Sequence, residues 1–210
     1  MPRKARHVLP HYPHHVTQRG NRRQPTFFQD SDYRLYLQLM QQACAANGVL
    51  CWAYCLMPNH VHLVLEPPVE GALAATVGWA HQAYSRAINR REGWTGSLWQ
   101  GRFSSCAMDE THALVAVRYV ELNPVRAGLR RQVQDWRWSS AASRVFGLEN
   151  RLLCRPPILR GIRDWQAYLD TGLTAAQEAQ LGYFTQSGQP MMDDASPGHA
   201  PASPVRVPTR

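Results

Sequence analysis

Lysine is almost absent from this chain: Lys4 is the only one among 23 basic residues. Nearly all the positive charge is therefore arginine. Its planar fork grips phosphate with two bonds and stacks on bases, although compositional bias accounts for the same excess equally well. Long hydrophobic runs are also missing. None approaches the roughly 20 residues of a membrane-spanning helix, which leaves no expected membrane partner. The first residues, MPRKARHVLPHYPHH, contain no apolar stretch of the kind a secretory leader needs. The five cysteines, Cys44, Cys51, Cys55, Cys106 and Cys154, are odd in number and form no repeated CxxC pair. That argues against a disulfide framework and for reduced thiols in a cytoplasmic protein. Cys51 and Cys55 share a face of an expected strand, with Ala53 between them, and read as a small-residue core face more readily than as a zinc site.

What is present points to a polyanion. The 210 residues carry a net charge of +8 and a pI of about 9.7, so nucleic acid is the first partner to consider. The length suits one good-sized domain with an appendage. No internal repeat is visible.

Hydrophobic periodicity divides the chain. Residues 14–19 (HHVTQR) read as a strand running into the basic turn GNRRQP. A helix capped by Asp30 or Ser31 continues to Asn47-Gly48. Strands follow at 49–57 and 60–66, joined by Pro58-Asn59. A helix covers about 72–91, a fourth strand about 102–108, and Asp109 caps a helix to about Leu122. The order β-α-β-β-α-β is that of a ferredoxin-like split βαβ fold, an α+β class with a four- to five-stranded antiparallel sheet and helices on one face. The expected domains are a core over 1–130, a helical appendage over 131–187 and a disordered tail over 188–210.

The stretch MPNHVHLVLE (57–66) carries two imidazoles in an apolar strand. Alternation puts His60, His62, Val64 and Glu66 on one face and Val61, Leu63 and Leu65 on the other. Their Cα atoms should therefore lie roughly 6.5–7 Å apart, near enough for the two rings to converge on one ion. A bare His-x-His is also common as structure. Downstream, RYVELNPVRAGL places Tyr119 and Asn123 four residues apart on one helical face. Asn123 suits a third ligand, and equally a cap preceding Pro124. Tyr119 beside an ion suits a nucleophile attacking phosphorus, and alone suits a core aromatic.

Taken together, HVH, YVELNPVRAGL, LWQGRF, HHVTQRGNRRQ and WAYCLMPNHVHLV resemble the single-tyrosine transposases among the HUH endonucleases. Their pattern is most similar to the REP-associated tyrosine transposases of bacteria. The resemblance covers about residues 8–145. It implies a metal-dependent single-stranded DNA endonuclease and transesterase acting at hairpin-forming repeats. Tyr119 is then the nucleophile, leaving a 5′-phosphotyrosine and a free 3′-OH. His60, His62 and Asn123 hold Mg2+ or Mn2+. The continuation of the chain past the tyrosine helix, with NPVRAGL, points to the REP-associated branch, and that resemblance implies a monomer rather than a dimer.

Arg19, Arg22, Arg23, Gln100, Arg102 and Arg126 are candidate DNA contacts, with Trp99 as the candidate stacking residue. His14 and His15 lie near strand one with no defined role. Two other readings stay open: a DNA- or RNA-binding module that no longer cuts, and a zinc hydrolase that does not need Tyr119.

Overall fold

A computed structural model describes residues 6–193 of the chain. Four strands, β1 (His14–Arg19), β2 (Leu50–Met57), β3 (His60–Glu66) and β4 (Ser104–Ala107), form one antiparallel sheet in the order β2-β3-β1-β4. Helices α1 (Asp30–Asn47) and α2 (Ala72–Glu92) provide the crossovers, and α3 (Glu110–Arg126) follows β4. This is the split βαβ arrangement expected from the sequence.

Local signals set the element ends. Gln29 and Asp32 close the start of α1 as a reciprocal capping box, so the cap lies just before the expected Asp30 or Ser31. Gly48 ends α1 in the left-handed region, at φ 64°. Asp109 caps α3 by accepting the His112 amide. The helix then runs through Asn123 and Pro124 to Arg126, beyond the expected Leu122. Asn123 is thus inside the helix and caps no new turn. Pro124 brings no amide to the i−4 carbonyl, and the chain leaves the helix within one turn, the Ala127 amide bonding Asn123 O at 2.9 Å.

The sheet has two unlike faces. Val16, Val61, Leu63 and Leu65 are wholly buried on the face toward α1 and α2. The other face carries His15, Thr17 and Arg19 from β1 with His60, His62 and Val64 from β3. Helix α3 covers that face and packs mainly against β2 and β3. A bulge between Cys51 and Ala53 breaks the alternation of β2. Cys51 pairs with Leu65, while Cys55 pairs with His62. The two thiols therefore lie on opposite faces, and the expected shared face does not form.

Beyond α3 the chain carries short helices α4 (Ala141–Val145), α5 (Pro157–Arg160) and α6 (Trp165–Asp170), then α7 (Ala175–Ser187). This part is joined to the core by backbone and side chain alike. Residues 138–140 line the open edge of β2, the Leu56 amide donating to Trp138 O at 2.8 Å and the Ser140 amide to Tyr54 O at 2.9 Å. Trp138 stacks on Tyr33 of α1. Covering an exposed strand edge removes a site for unwanted pairing. Glu121 of α3, fully buried, accepts from the Ser140 hydroxyl and the Trp165 indole and faces Arg144. The first residues of the expected tail, up to Met191, are instead held against the core. Met191 is 1% exposed and its amide donates to Ala107 O at 2.8 Å, next to β4. The remainder of the expected tail, 194–210, lies outside the described residues. Among the described residues no helix is long and apolar enough to cross a membrane.

Candidate active site

Antiparallel register builds the site. Arg19 lies directly across from His60, and Thr17 across from His62. Asn59, in the turn before β3, fixes the first imidazole. Its Nδ2 donates to Arg23 O at 3.0 Å, so its Oδ1 faces His60 Nδ1 at 2.6 Å. An amide oxygen only accepts. His60 therefore carries its proton on Nδ1, and Nε2 keeps a free lone pair. Gly20 allows the basic turn to close against this corner. Its amide donates to Asn59 O at 2.8 Å, and a Cβ there would meet Gln24 O at 2.3 Å.

The His60 and His62 rings lie 4.9 Å apart between centroids. Tyr119 sits edge-on to His62 at 5.6 Å and to His15 at 5.7 Å. Asn123 is buried, and its Nδ2 donates to Tyr119 O at 2.8 Å, which leaves Oδ1 uncommitted by that bond. Burial, with the nearby charge of Arg19, pushes His60 down to about 4. Burial, followed by the charges of His15, His60, Arg19 and Arg126, holds His62 well below the ordinary imidazole value. Both rings are neutral near pH 7, the state a metal requires of histidine. The donor set of two imidazole nitrogens and an amide oxygen thus fits a divalent cation.

Sequence reasoning assigned no role to His15, yet it completes this cluster. Its ring lies parallel to His62, edge to edge with centroids 5.4 Å apart, with Nε2 3.1 Å from His62 Nδ1 and Nδ1 2.7 Å from Thr185 Oγ1 of α7. The alternation of HHVTQR put it on a face with Arg19. Only the cross-strand register put that face beside the HVH pair.

The arginines divide by location. Arg126 is exposed, lies 4.7 Å from the Tyr119 ring centre and pairs with Glu178 of α7. Arg22 and Arg23 are exposed and both adopt the left-handed backbone, at φ 53° and 61°. Trp99, the expected stacking residue, is instead buried at 6% exposure, stacked on His81 and donating to His81 O. With Gln18, His81 and Arg102 it lines a groove of about 450 Å3 on the α2 side of the sheet, on the face opposite His60 and His62. Gln100 is exposed beside it, its amide bonded to Arg19 O. Phe28, three residues past the basic turn, and Trp94 are exposed aromatics packed edge to face at 5.5 Å.

A second cluster, Asp109, His112 and Asp193, brings ligand-type atoms within 4.8 Å of one another. Asp109 Oδ1 there takes both the amide and the ring Nδ1 of His112, and Oδ2 takes the Asp193 amide. These atoms are committed to closing the start of α3.

Comparison with known proteins gives the family and the fold. Residues 8–123 match the family model described as Transposase IS200 like. A Haemophilus influenzae protein described as a REP-associated tyrosine transposase is 26% identical over 111 residues, 48% of this chain and 63% of the relative. The chain thus spans under two thirds of that curated relative. Among solved structures, a REP-associated tyrosine transposase bound to a REP hairpin superposes with a TM-score of 0.59 at 20% identity, covering 73% of this chain and 92% of that one. A transposase from Deinococcus radiodurans R1 is a weaker match, with a TM-score of 0.40 at 20% identity over 57% of this chain and 96% of that chain.

Proposed function

Because the chain belongs to the family of IS200-like transposases, we propose that it cuts and rejoins single-stranded DNA at hairpin-forming repeats through a covalent link to Tyr119. The observation that carries this reading is the position of the Tyr119 ring, 5.6 Å from His62 on the sheet face that also holds His60. A phenol in the core would need no such neighbours.

His60, His62 and Asn123 would hold one divalent ion, Mg2+ or Mn2+. When bound, the ion supplies charge that polarises a phosphodiester and stabilises its leaving oxygen. The chain supplies the rest. Tyr119 Oη attacks phosphorus, and a P–O bond to Tyr119 forms as the bond to the 3′ oxygen breaks. The phenol proton is lost and the departing oxygen gains one, leaving a 5′-phosphotyrosine and a 3′-OH. In the reverse step an incoming 3′-OH attacks the same phosphorus and Tyr119 leaves, so the strand is resealed. The Arg126 guanidinium over the Tyr119 ring would bring positive charge beside the phosphate that Tyr119 attacks.

Arg19, across from His60, and Arg22 and Arg23, in the turn that bonds Asn59, would neutralise the incoming backbone, with Phe28 and Trp94 as exposed aromatic faces for bases. Trp99 is left to the core. Gln100 and Arg102 belong to the neighbouring loop and would contact DNA only at its margin. The hairpin held by the related structure supports a hairpin as the partner. The reading places a monomer on chromosomal DNA in the bacterial cytoplasm, at the nucleoid.

The test is a hairpin-bearing oligonucleotide library incubated with protein and Mn2+. An SDS-resistant adduct that vanishes in Tyr119→Phe supports the reading. Cleavage that persists in Tyr119→Phe without a protein-linked product identifies a hydrolase instead. Tight binding unchanged by EDTA, with no cleavage of any substrate, identifies a binding module.

A further inference from the structure

Four polar groups form a line from α7 to the third strand: the Leu181 carbonyl, the Thr185 hydroxyl, the His15 ring and the His62 ring. Thr185 Oγ1 is 2.7 Å from Leu181 O and 2.7 Å from His15 Nδ1. His15 Nε2 is 3.1 Å from His62 Nδ1. His15 is 2% exposed, His62 6% and Thr185 5%.

The direction of this line is fixed by counting protons. A hydroxyl has one hydrogen, and a carbonyl has none. Should Thr185 donate to His15, its oxygen and Leu181 O would be two acceptors 2.7 Å apart with no proton between them. Thr185 must therefore donate to Leu181 and accept from His15 Nδ1–H. The neutral His15 ring then has a bare Nε2, which accepts from His62 Nδ1–H. His62 is left with a bare Nε2. Cys106 Sγ, 3.6 Å from Thr185 Oγ1, is compatible with this direction, because the hydroxyl oxygen has a second lone pair to accept its thiol.

We propose that His15 and Thr185 are positioning residues that hold His62 in the tautomer able to ligate a metal. The relay makes α7, which lies beyond the matched family region, part of the site's assembly. Asn59 performs the same service for His60 from the neighbouring turn, so both imidazoles are set by partners of opposite origin. This inference rests on the metal reading of the preceding subsection for its purpose, but the tautomer itself is a property of the metal-free protein. Partners of metal-ligating histidines typically change metal affinity roughly 10–100-fold when removed.

The experiment uses the full chain labelled with 15N-histidine. Long-range 1H–15N spectra of metal-free protein report which ring nitrogen of His62 is protonated, with the His62→Gln spectrum providing the assignment. Mn2+ affinity is measured in parallel by EPR, without DNA, for wild type, Thr185→Val and Thr185→Ser. Valine keeps the shape and removes the hydroxyl; serine restores it. The expected result is an Nδ1-protonated His62 in wild type and Thr185→Ser. In Thr185→Val that signal is lost or shared, with Mn2+ affinity about 10-fold or more weaker and restored in Thr185→Ser. An Nε2-protonated His62 in wild type overturns the inference, as does an unchanged His62 spectrum and Mn2+ affinity in Thr185→Val. A thermal melt of each variant checks that the fold is retained. If Thr185→Val does not fold, the wild-type tautomer alone decides. Wild-type protein that fails to bind Mn2+ sinks the metal reading, while the tautomer still decides the relay.

Discussion

Arg126 lies over the ring of Tyr119, its guanidinium carbon 4.7 Å from the ring centre, while Glu178 of α7 pairs with the same guanidinium. The pair is partly exposed, so it contributes little to stability, about 0–1 kcal/mol. On the proposed mechanism, its charge would matter more to the phosphate held beside Tyr119. Arg126→Met should slow adduct formation roughly tenfold or more, less than the roughly 10²–10³ lost with a dedicated oxyanion donor, with the melting temperature nearly unchanged. Single-turnover kinetics on a hairpin substrate measure this. Unchanged rates would remove Arg126 from the mechanism.

Glu121 provides a test of domain structure. It is wholly buried among Ser140, Trp165 and Arg144, which all belong to the part of the chain expected to form a separate appendage. Removing one partner of a buried pair costs about 3–5 kcal/mol, because the remaining charge is left uncompensated. Glu121→Leu should therefore destabilise the whole protein, and adding Arg144→Leu should recover much of the loss. Circular dichroism and tryptophan fluorescence should follow a single unfolding transition. Two transitions, with only the later one moved by Glu121→Leu, would mean that residues 131–187 fold apart from the core.

Much of this molecule can be read along the chain because it follows simple periods. The β3 alternation separates His60 and His62 from Val61, Leu63 and Leu65, and the i, i+4 spacing puts Tyr119 and Asn123 on one helical face. What escaped reading depends on events outside those periods. A bulge adds one residue to an uninterrupted apolar run, so nothing in LCWAYCLM marks where Cys51 and Cys55 part. Pro124 looks like a boundary, yet α3 continues through it. Trp99 sits among arginines in the sequence but is held inside by His81. His15 gains its place through pairing with β3 and through Thr185, 170 residues away. Local pattern holds no record of a contact at that separation.

The buried histidines predict an acid-sensitive fold. Burial pushes His15 and His81 down to about 3, and it pushes His14 down to about 4 against a smaller opposing hydrogen bond to Tyr12 O. A base with a depressed folded pKa binds its proton first in the unfolded chain. Its contribution is fully present above the unfolded value of about 6.5 and is lost as pH falls toward the folded value. The slope is about 1.4 kcal/mol per pH unit for each such group. Urea midpoints in EDTA should be level from about pH 8 to 7 and fall steeply from about pH 6 to 4. His81→Gln, which keeps a polar partner for the Tyr36 hydroxyl, should reduce the slope by about one proton. A midpoint that rises on acidification would contradict the sign.

Arg22 and Arg23 are two successive non-glycine residues in left-handed conformation, at φ 53° and 61°. Each carries a conformational cost of roughly 1–2 kcal/mol that glycine would avoid. Both side chains are exposed, so the strain is repaid by no buried packing of their own. It is explicable if these guanidinium groups grip phosphate beside the His60 corner. Arg22→Gly with Arg23→Gly should therefore leave the fold as stable or stabilise it by about 1 kcal/mol, after the greater chain entropy of glycine is allowed for. The same change should weaken hairpin binding and flatten its dependence on log[salt] by about 0.7 for each single-strand phosphate that is no longer neutralised. Fluorescence anisotropy across a salt series separates the two effects. A slope equal to wild type would show that neither arginine neutralises the DNA backbone, and the strained turn would then need another cause.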